Sequence, residues 1–375
     1  MDEFQDTNSI AWSVLDAIIS DQTQLLFLGD PLQRIYGFIG ALPDIMSVAV
    51  EKYGATKVIL SKNYRFRNNL GMLMLDKNIR ANANTCFSTS IDAANVAELP
   101  GFWGISQQDE AEQITTKVKA LMGDETSKIA ILFRGRGKTV EIVENELSNK
   151  QIPYFYGMFT DEDEDYVKFH DKCQEVFIQR FGKQKTISKR ALSAFVDGMK
   201  SAYSAKNGKI VASLLRLLDA LIDKVSVDYA DLLPDDKYTL LLDIFENRQL
   251  KQAMAYVDSQ VILSTVHGAK GLEWDYVILG DVKRWIFPGY YTCSNCANRF
   301  VLPSNSRCIL PDPLPAEFKD KALDELSVFY VGMTRAKKQV YVSASEKRLD
   351  YFGNEKASVF SCMVGLDGIK LVKSL

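Results

Sequence analysis

The sequence predicts an α/β protein: parallel sheets with helices on both faces, interrupted by a helical insertion. Three observations carry this reading. Short apolar runs at 128–133, 261–265, 276–279 and 339–343 have the length of buried strands, and stretches with helical spacing lie between many of them. That alternation suits strands laid parallel and joined by crossover helices. Residues 166–255 break it, being helical in pattern throughout. Finally, 375 residues with 47% hydrophobic and 25% charged side chains suffice for about two to three ordinary globular domains.

In chain order, Ile10, Trp12, Val14, Leu15, Ile18 and Ile19 have helical apolar spacing. Residues 25–28 read as a buried strand ending at Gly29-Asp30-Pro31, and 57–60 as another leading into Asn63-Tyr64-Arg65-Phe66. A helix is expected over 68–82, a strand over 101–105, a helix over 109–122, a strand over 128–133 and a helix over 139–147, with 153–156 closing the run. The charge run Asp161-Glu162-Asp163-Glu164-Asp165 reads as a solvated hinge. In the insertion, Leu214, Leu215, Leu217, Leu218, Leu221 and Ile222 form one apolar stripe, read as core packing. Strands return at 261–265 and 276–279, a helix at 324–337 and a last core strand at 339–343, while the final 25 residues carry no clear pattern.

The net charge of −3 gives no global basic field, so nucleic acid would have to be held in a local groove. No apolar run approaches the roughly 18 residues of a membrane span. The N-terminus is acidic and polar, unlike a signal peptide, and the expected location is the cytoplasm. Six cysteines without a secretory signal point to free thiols or a metal, not to a disulfide framework. Cys293, Cys296 and Cys308 are three candidate zinc ligands, with surface thiols as the alternative.

The chemistry concentrates near the two ends. Asp2 and Glu3 are adjacent carboxylates, a pair suited to holding Mg²⁺ and activating a water in phosphoryl transfer. They are followed by Gln5-Asp6, then Gly29-Asp30-Pro31-Leu32-Gln33-Arg34-Ile35-Tyr36-Gly37-Phe38, then Leu60-Ser61-Lys62-Asn63-Tyr64-Arg65. Far along the chain stand Thr265-Val266-His267-Gly268-Ala269-Lys270-Gly271-Leu272-Glu273 and Tyr330-Val331-Gly332-Met333-Thr334-Arg335-Ala336. An arginine at that position suits a phosphate charge, because guanidinium stays charged and grips two oxygens at once.

These motifs, in this order, resemble the UvrD/Rep family of superfamily 1 DNA helicases, and they span most of the chain outside 166–255. The resemblance implies two RecA-like domains with ATP between them and single-stranded DNA across their tops. It assigns a truncated first domain to 1–57, a second to 58–165 and 256–375, and the insertion to 166–255. It implies Asp2 on Mg²⁺, Glu3 as the water-activating base, Gln33 near the γ-phosphate and Tyr64 stacked on adenine. Arg65 and Arg335 would be arginine fingers, and Glu273 would reach the nucleotide sugar. Tyr36 and Phe38 take the base-contacting positions, with core packing as their alternative. Many relatives carry Trp in place of Phe38 and Arg in place of Ile39. Thr265 and His267 would lie near the DNA backbone and the domain junction.

The implied activity is that of an ATP-dependent helicase or translocase moving 3′ to 5′, with ATP and Mg²⁺ as cofactors, single-stranded DNA and duplex junctions as partners, and DNA repair as the setting. The rival reading is a helicase-like DNA-binding subunit of a nuclease-helicase or phage-defence complex, inactive alone, with a nuclease subunit as partner. No Gly-x-x-x-x-Gly-Lys-[Ser/Thr] run occurs in the chain; Gly135-Arg136-Gly137-Lys138-Thr139 resembles its end, but Leu132 stands where the first glycine is needed. The family carries that loop well before the acidic motif. The sequence therefore reads as the C-terminal portion of such a helicase, starting at the acidic motif.

Overall fold

The computed structural model describes residues 1–20, 22–37, 40–182, 187–205, 208–299, 307–350 and 352–374. The described chain forms two compact units, Met1–Ile152 with Thr265–Leu375, and Pro153–Ser264. The first opens with α1 (Ser9–Ile18), α2 (Ile45–Tyr53), α3 (Leu70–Asn84), β1 (Ala97–Gly104), α4 (Gln107–Leu121), β2 (Ile129–Phe133) and α5 (Lys138–Asn149). The second holds β3 (Phe155–Tyr156), α6 (Glu164–Phe181), α7 (Lys189–Ala202), α8 (Lys209–Asp228), α9 (Pro234–Glu246) and β4 (Val261–Thr265), whose last residue begins the return to the first unit. That unit then resumes with β5 (Trp274–Leu279), α10 (Tyr290–Ser294), α11 (Lys319–Met333), β6 (Ala336–Ser345), β7 (Lys347–Leu349), β8 (Glu355–Ala357) and β9 (Ile369–Lys373).

In the first unit β2, β5, β6, β1 and β9 lie side by side in that order, every neighbouring pair parallel. Every residue of β2 is buried, as expected for a strand covered on both faces. Register pairs Ile129 with Tyr276 and Val277 with Val340, so the apolar residues of three strands form continuous layers. Helices start where the sequence supplies caps: Asn69 Oδ1 accepts from Met72 N at 3.1 Å, and Ser106 Oγ from Asp109 N at 3.2 Å. β9 was not legible in the sequence. It is a short strand pairing Ala97 with Ile369, and two of its five residues are lysines. β7 and β8 form a separate antiparallel pair.

The expected strands at 25–28 and 57–60 join no ladder. Residues 25–28 instead run beside the start of the chain, with Leu28 N donating to Met1 O at 2.8 Å and Phe4 N to Leu28 O at 2.9 Å. Val58, Ile59 and Leu60 are 75%, 76% and 83% exposed. An apolar run becomes a strand only where another strand takes its backbone hydrogen bonds, and no described strand lies beside these two. The predicted helix near residue 10 forms, yet none of its residues is buried.

The core beneath this segment is small. Phe4, Ile45 and Ala49 are buried, with Trp12, Leu15, Phe27, Leu42, Met46 and Tyr53 packed around them. Phe4 packs against Phe27 with 4.3 Å between ring centres and the rings tilted by 33°. Phe4→Ala is therefore expected to cost about 3–5 kcal/mol, the usual range for removing a buried ring. Urea titration reads it, and a loss under about 1 kcal/mol would show that the cluster contributes little.

In the second unit β3 and β4 pair in parallel, Phe155 with Ile262 and Tyr156 with Leu263. The four helices between them enclose an aromatic core in which Phe177 meets Phe181 at 4.8 Å and Phe245 at 5.4 Å. Leu214, Leu217, Leu218, Leu221 and Ile222 are buried as expected, but Leu215 is only half-buried, at the margin of the stripe. Among the described residues no helix is long and apolar enough to cross a membrane.

Candidate active site

The two ends of the sequence meet within the first unit. Glu3 sits in the left-handed backbone region (φ 49°), just before a short turn of 3₁₀ helix. Its carboxylate accepts from Gln5 Nε2 at 2.6 Å. Gln5 in turn accepts from Asp30 N at 3.1 Å, tying the acidic motif to the Gly29-Asp30-Pro31 turn. Gly29 lets the two segments approach closely, since a Cβ would come within 2.6 Å of Gln5 Oε1 and push that amide off Asp30 N. Asp30 Oδ1 caps the turn by accepting from Leu32 N at 3.1 Å, and Asp30 Oδ2 accepts from Gln33 Nε2 at 2.9 Å.

Gln33 Oε1 faces the other end of the chain and accepts from Arg335 Nη2 at 3.1 Å. Arg335 is 1% exposed and is held by Val331 O at 3.0 Å and Leu272 O at 3.4 Å. Burial lowers its pKa to about 10, and the nearby Arg65 charge adds to the effect. Arg65 donates from Nε to Glu273 Oε2 at 3.0 Å and from Nη1 to Thr334 O at 3.0 Å. Burial pushes the Glu273 carboxyl up, but Arg65 and Lys337 outweigh it and hold the group below its usual value. The Arg65 charge thus acts on Arg335, which alone of the two bonds Gln33, an arrangement that a phosphate-like anion would relieve.

Three further residues join this cluster without having been given a role from the sequence. Lys270, almost buried, forms ion pairs with Asp6 and, at 3.2 Å, with Glu3, and donates to Gln33 O at 3.0 Å. Asp30 and Asp6 are the other two. Lys270 and both aspartates lie inside the quoted motifs, so position inside a motif was the available signal. Tyr36 Oη donates to His267 O at 3.3 Å, and its ring lies 5.3 Å from Lys270 Nζ. Burial lowers the His267 pKa, with the Arg134 charge acting in the same direction. Thr265 Oγ1 accepts from Gly268 N at 2.9 Å, shaping the turn before Lys270.

The start of the chain offers exposed carboxylates, the oxygen type that a hard divalent cation takes, but among the described residues no three acidic side chains there are grouped around one point. Asp2 and Glu3 are exposed carboxylates, and Asp6 Oδ1 is buried with no hydrogen-bond partner among the described residues. Tyr64 stands apart from the cluster, 66% exposed, with Lys62 4.9 Å from its ring centre. Phe38 lies outside the described residues.

The zinc expectation is corrected. Among the described residues no three His, Cys, Asp or Glu side chains are grouped to hold a metal. Cys293 Sγ donates to Pro288 O at 3.2 Å, and burial raises its pKa to about 11. Burial raises that of Cys308 as well. Protein purified without added metal is expected to hold far less than one zinc per chain by elemental analysis, and a stoichiometric content would reverse the correction.

The loop at 135–139 leads into α5. Gly137 precedes α5, and Lys138 turns to Glu141 at 2.8 Å. Beside it, at the end of β2, a cavity of about 390 Å³ is lined by Arg134, Arg136, Lys138, Asp281 and Lys283 among others, with Arg134 paired to Glu325 and Lys283 to Asp281.

Comparison with known proteins gives two family matches: the UvrD-like helicase C-terminal domain over residues 160–347 and the UvrD/REP helicase N-terminal domain over residues 1–54. A probable DNA helicase II homolog of Mycoplasma genitalium is 25% identical across 92% of this chain and 54% of its own length. DNA helicase II of Rickettsia typhi is 23% identical across 94% of this chain and 61% of its own length. DNA helicase II of Escherichia coli matches at 28% over 42% of this chain and 22% of its own length. The chain thus spans between half and two thirds of the length of the Mycoplasma and Rickettsia relatives.

Proposed function

Because the chain belongs to the UvrD/Rep family of superfamily 1 helicases, we propose that it forms the ATP-hydrolysing and DNA-tracking part of an ATP-dependent DNA helicase moving 3′ to 5′. The observation that carries the proposal is the meeting of Arg335 and Gln33, with Arg65 close by. In this reading the γ-phosphate lies against these three residues. Residues 1–57 contribute one wall of the nucleotide site as part of a first RecA-like domain. Residues 58–165 and 256–375 form the second, and the helices of 166–255 are an insertion into it.

Each residue then has a physical task. Asp2 would hold Mg²⁺, which neutralises charge on the phosphates when bound. Glu3 takes a proton from the attacking water. Gln33 orients toward the γ-phosphate, while Arg335 and Arg65 stabilise charge that grows on its oxygens in the transition state. Tyr64, exposed and flanked by cations, offers its face to adenine, and Glu273 accepts from the ribose. Lys270 holds Glu3, Asp6 and the backbone of Gln33 in one group, so it positions the base.

On the DNA side Tyr36 and Phe38 stack on bases, and Thr265 and His267 approach the backbone. Phe38→Ala in the full-length protein is expected to weaken single-strand binding by about 1–3 kcal/mol with little change in sequence preference. Fluorescence anisotropy with single-stranded oligonucleotides measures it, and an unchanged affinity in a folded variant would return Phe38 to packing. The proposal as a whole is tested by DNA-stimulated ATPase in the full-length protein beside Glu3→Gln. Turnover that survives Glu3→Gln would refute the assignment of the base.

A further inference from the structure

Arg80 lies on α3, outside every motif quoted above, yet it touches both halves of the cluster. Its Nη1 and Nη2 donate to Asp30 Oδ1 and Oδ2 at 3.0 and 2.5 Å, a two-pronged grip on one carboxylate. Its Nε donates to Asp76 Oδ1 at 3.1 Å, and Nη2 also reaches Tyr330 Oη. Tyr330 Oη donates to Asp76 Oδ1 at 2.6 Å. Tyr330 sits on α11, and Arg335 follows just beyond the end of that helix.

The contacts close a circuit. Arg80 holds Asp30; Asp30 accepts from Gln33 Nε2; Gln33 Oε1 accepts from Arg335; Arg335 is joined to Tyr330 through α11; Tyr330 returns to Arg80. An amide has one donor end and one acceptor end. With its donor end on Asp30, Gln33 must present its oxygen to Arg335. Arg80 adds two charged donors to an Asp30 carboxylate that Leu32 N and Gln33 Nε2 also contact, and so fixes the plane in which it meets Gln33. Burial opposes charge on both partners, but their pairing wins: Arg80 is raised above and Asp30 lowered below the usual value. Both stay ionised near neutral pH, as the grip requires.

We propose that Arg80 is a positioning residue for nucleotide hydrolysis: by clamping Asp30 against Tyr330 it sets the orientation of Gln33 toward Arg335 and couples the Asp30 turn to α11. This rests on the reading of Gln33 and Arg335 as γ-phosphate residues. A lysine cannot substitute, since a point charge does not hold two carboxylate oxygens in one plane.

The test is steady-state ATPase of the full-length protein and of Arg80→Met, Arg80→Lys, Gln33→Ala and the Arg80→Met/Gln33→Ala pair. Arg80→Met is expected to lower kcat about a hundredfold, the scale of a small misplacement remote from the chemistry, with KM for ATP changed less than about twofold. Arg80→Lys should keep the wild-type melting temperature and still lose most of the turnover. In the Gln33→Ala background Arg80→Met should cost nothing further, because Arg80 acts through Gln33. Near-normal kcat in Arg80→Met or Arg80→Lys would overturn the proposal, and so would additive losses in the pair. If Arg80→Met does not fold, Arg80→Lys and its pair with Gln33→Ala carry the same decision. Hydrogen exchange separates the clamp from the chemistry: amides of 29–36 should exchange faster in Arg80→Lys, and unchanged exchange would overturn the clamp. Absence of turnover in the wild-type protein would count against the proposed function, while the exchange result would still decide the clamp.

Discussion

Arg335→Ala is expected to cut DNA-stimulated ATP turnover by about 10³–10⁵-fold, the range that a supplied arginine finger is worth, while nucleotide affinity falls far less. The geometry gives the reason. Arg335 is buried, and it donates to Val331 O, Leu272 O and Gln33 Oε1, which are carbonyl or amide oxygens and not carboxylates. Burial and the Arg65 charge lower its pKa to about 10, which leaves it charged at neutral pH in surroundings that disfavour the charge. An anion arriving at Gln33 would meet a cation whose charge is little compensated, so the interaction strengthens as negative charge builds up on the transferring group. Alanine also leaves Val331 O, Leu272 O and Gln33 Oε1 without this donor, so the melting temperature must be measured beside the kinetics. Arg335→Lys separates the effects: it retains a charge and loses the fork. Near-normal ATPase in a folded Arg335→Ala protein would refute the assignment.

The second large effect concerns the 375 residues expressed alone. That polypeptide is expected to show no DNA-stimulated ATPase, and no unwinding. It carries Asp2, Glu3, Gln33, Arg65 and Arg335 but no Gly-x-x-x-x-Gly-Lys-[Ser/Thr] run. In phosphate-loop enzymes the backbone amides and lysine of that run cradle the β- and γ-phosphates, and its Ser/Thr helps to hold Mg²⁺. The one loop that resembles its end has Lys138 paired with Glu141. Adding a phosphate-loop segment of the family should restore both activities. The measurement is phosphate release with single-stranded DNA, beside Glu3→Gln. Turnover that disappears in Glu3→Gln would place a phosphate site within these residues, and Lys138 would be the first candidate.

Much of this protein was legible from residue pattern. β2, β5 and β6 announced themselves as short apolar runs because a doubly covered strand tolerates little else. The helices of the second unit did so by the spacing of their buried residues. The resemblance to the UvrD/Rep motifs singled out Gln33, Arg65, Glu273 and Arg335, and the fold brings Gln33 to Arg335 and Arg65 to Glu273. Which atoms of these residues meet was not written in the motifs: Gln33 and Arg335 are 302 positions apart and joined by one hydrogen bond.

Tertiary structure alone decided the rest, and in each case the reason is a partner remote in sequence. Apolar content at 58–60 did not make a strand, because strands exist only beside other strands. Cys293 and Cys308 had zinc-like spacing, but among the described residues no three ligand side chains are grouped to hold a metal, which spacing cannot report. Lys270 reaches Glu3 and Asp6 because the turn shaped by Thr265 delivers it there. Arg80 is the clearest case: on its helix it reads as an ordinary surface cation, and only the fold places Asp30 and Tyr330 within reach of its guanidinium. The chain by itself determined which chemical groups are present and which elements carry them. The fold determined which charges face each other and how far water is excluded between them, and those two quantities set what each group can do.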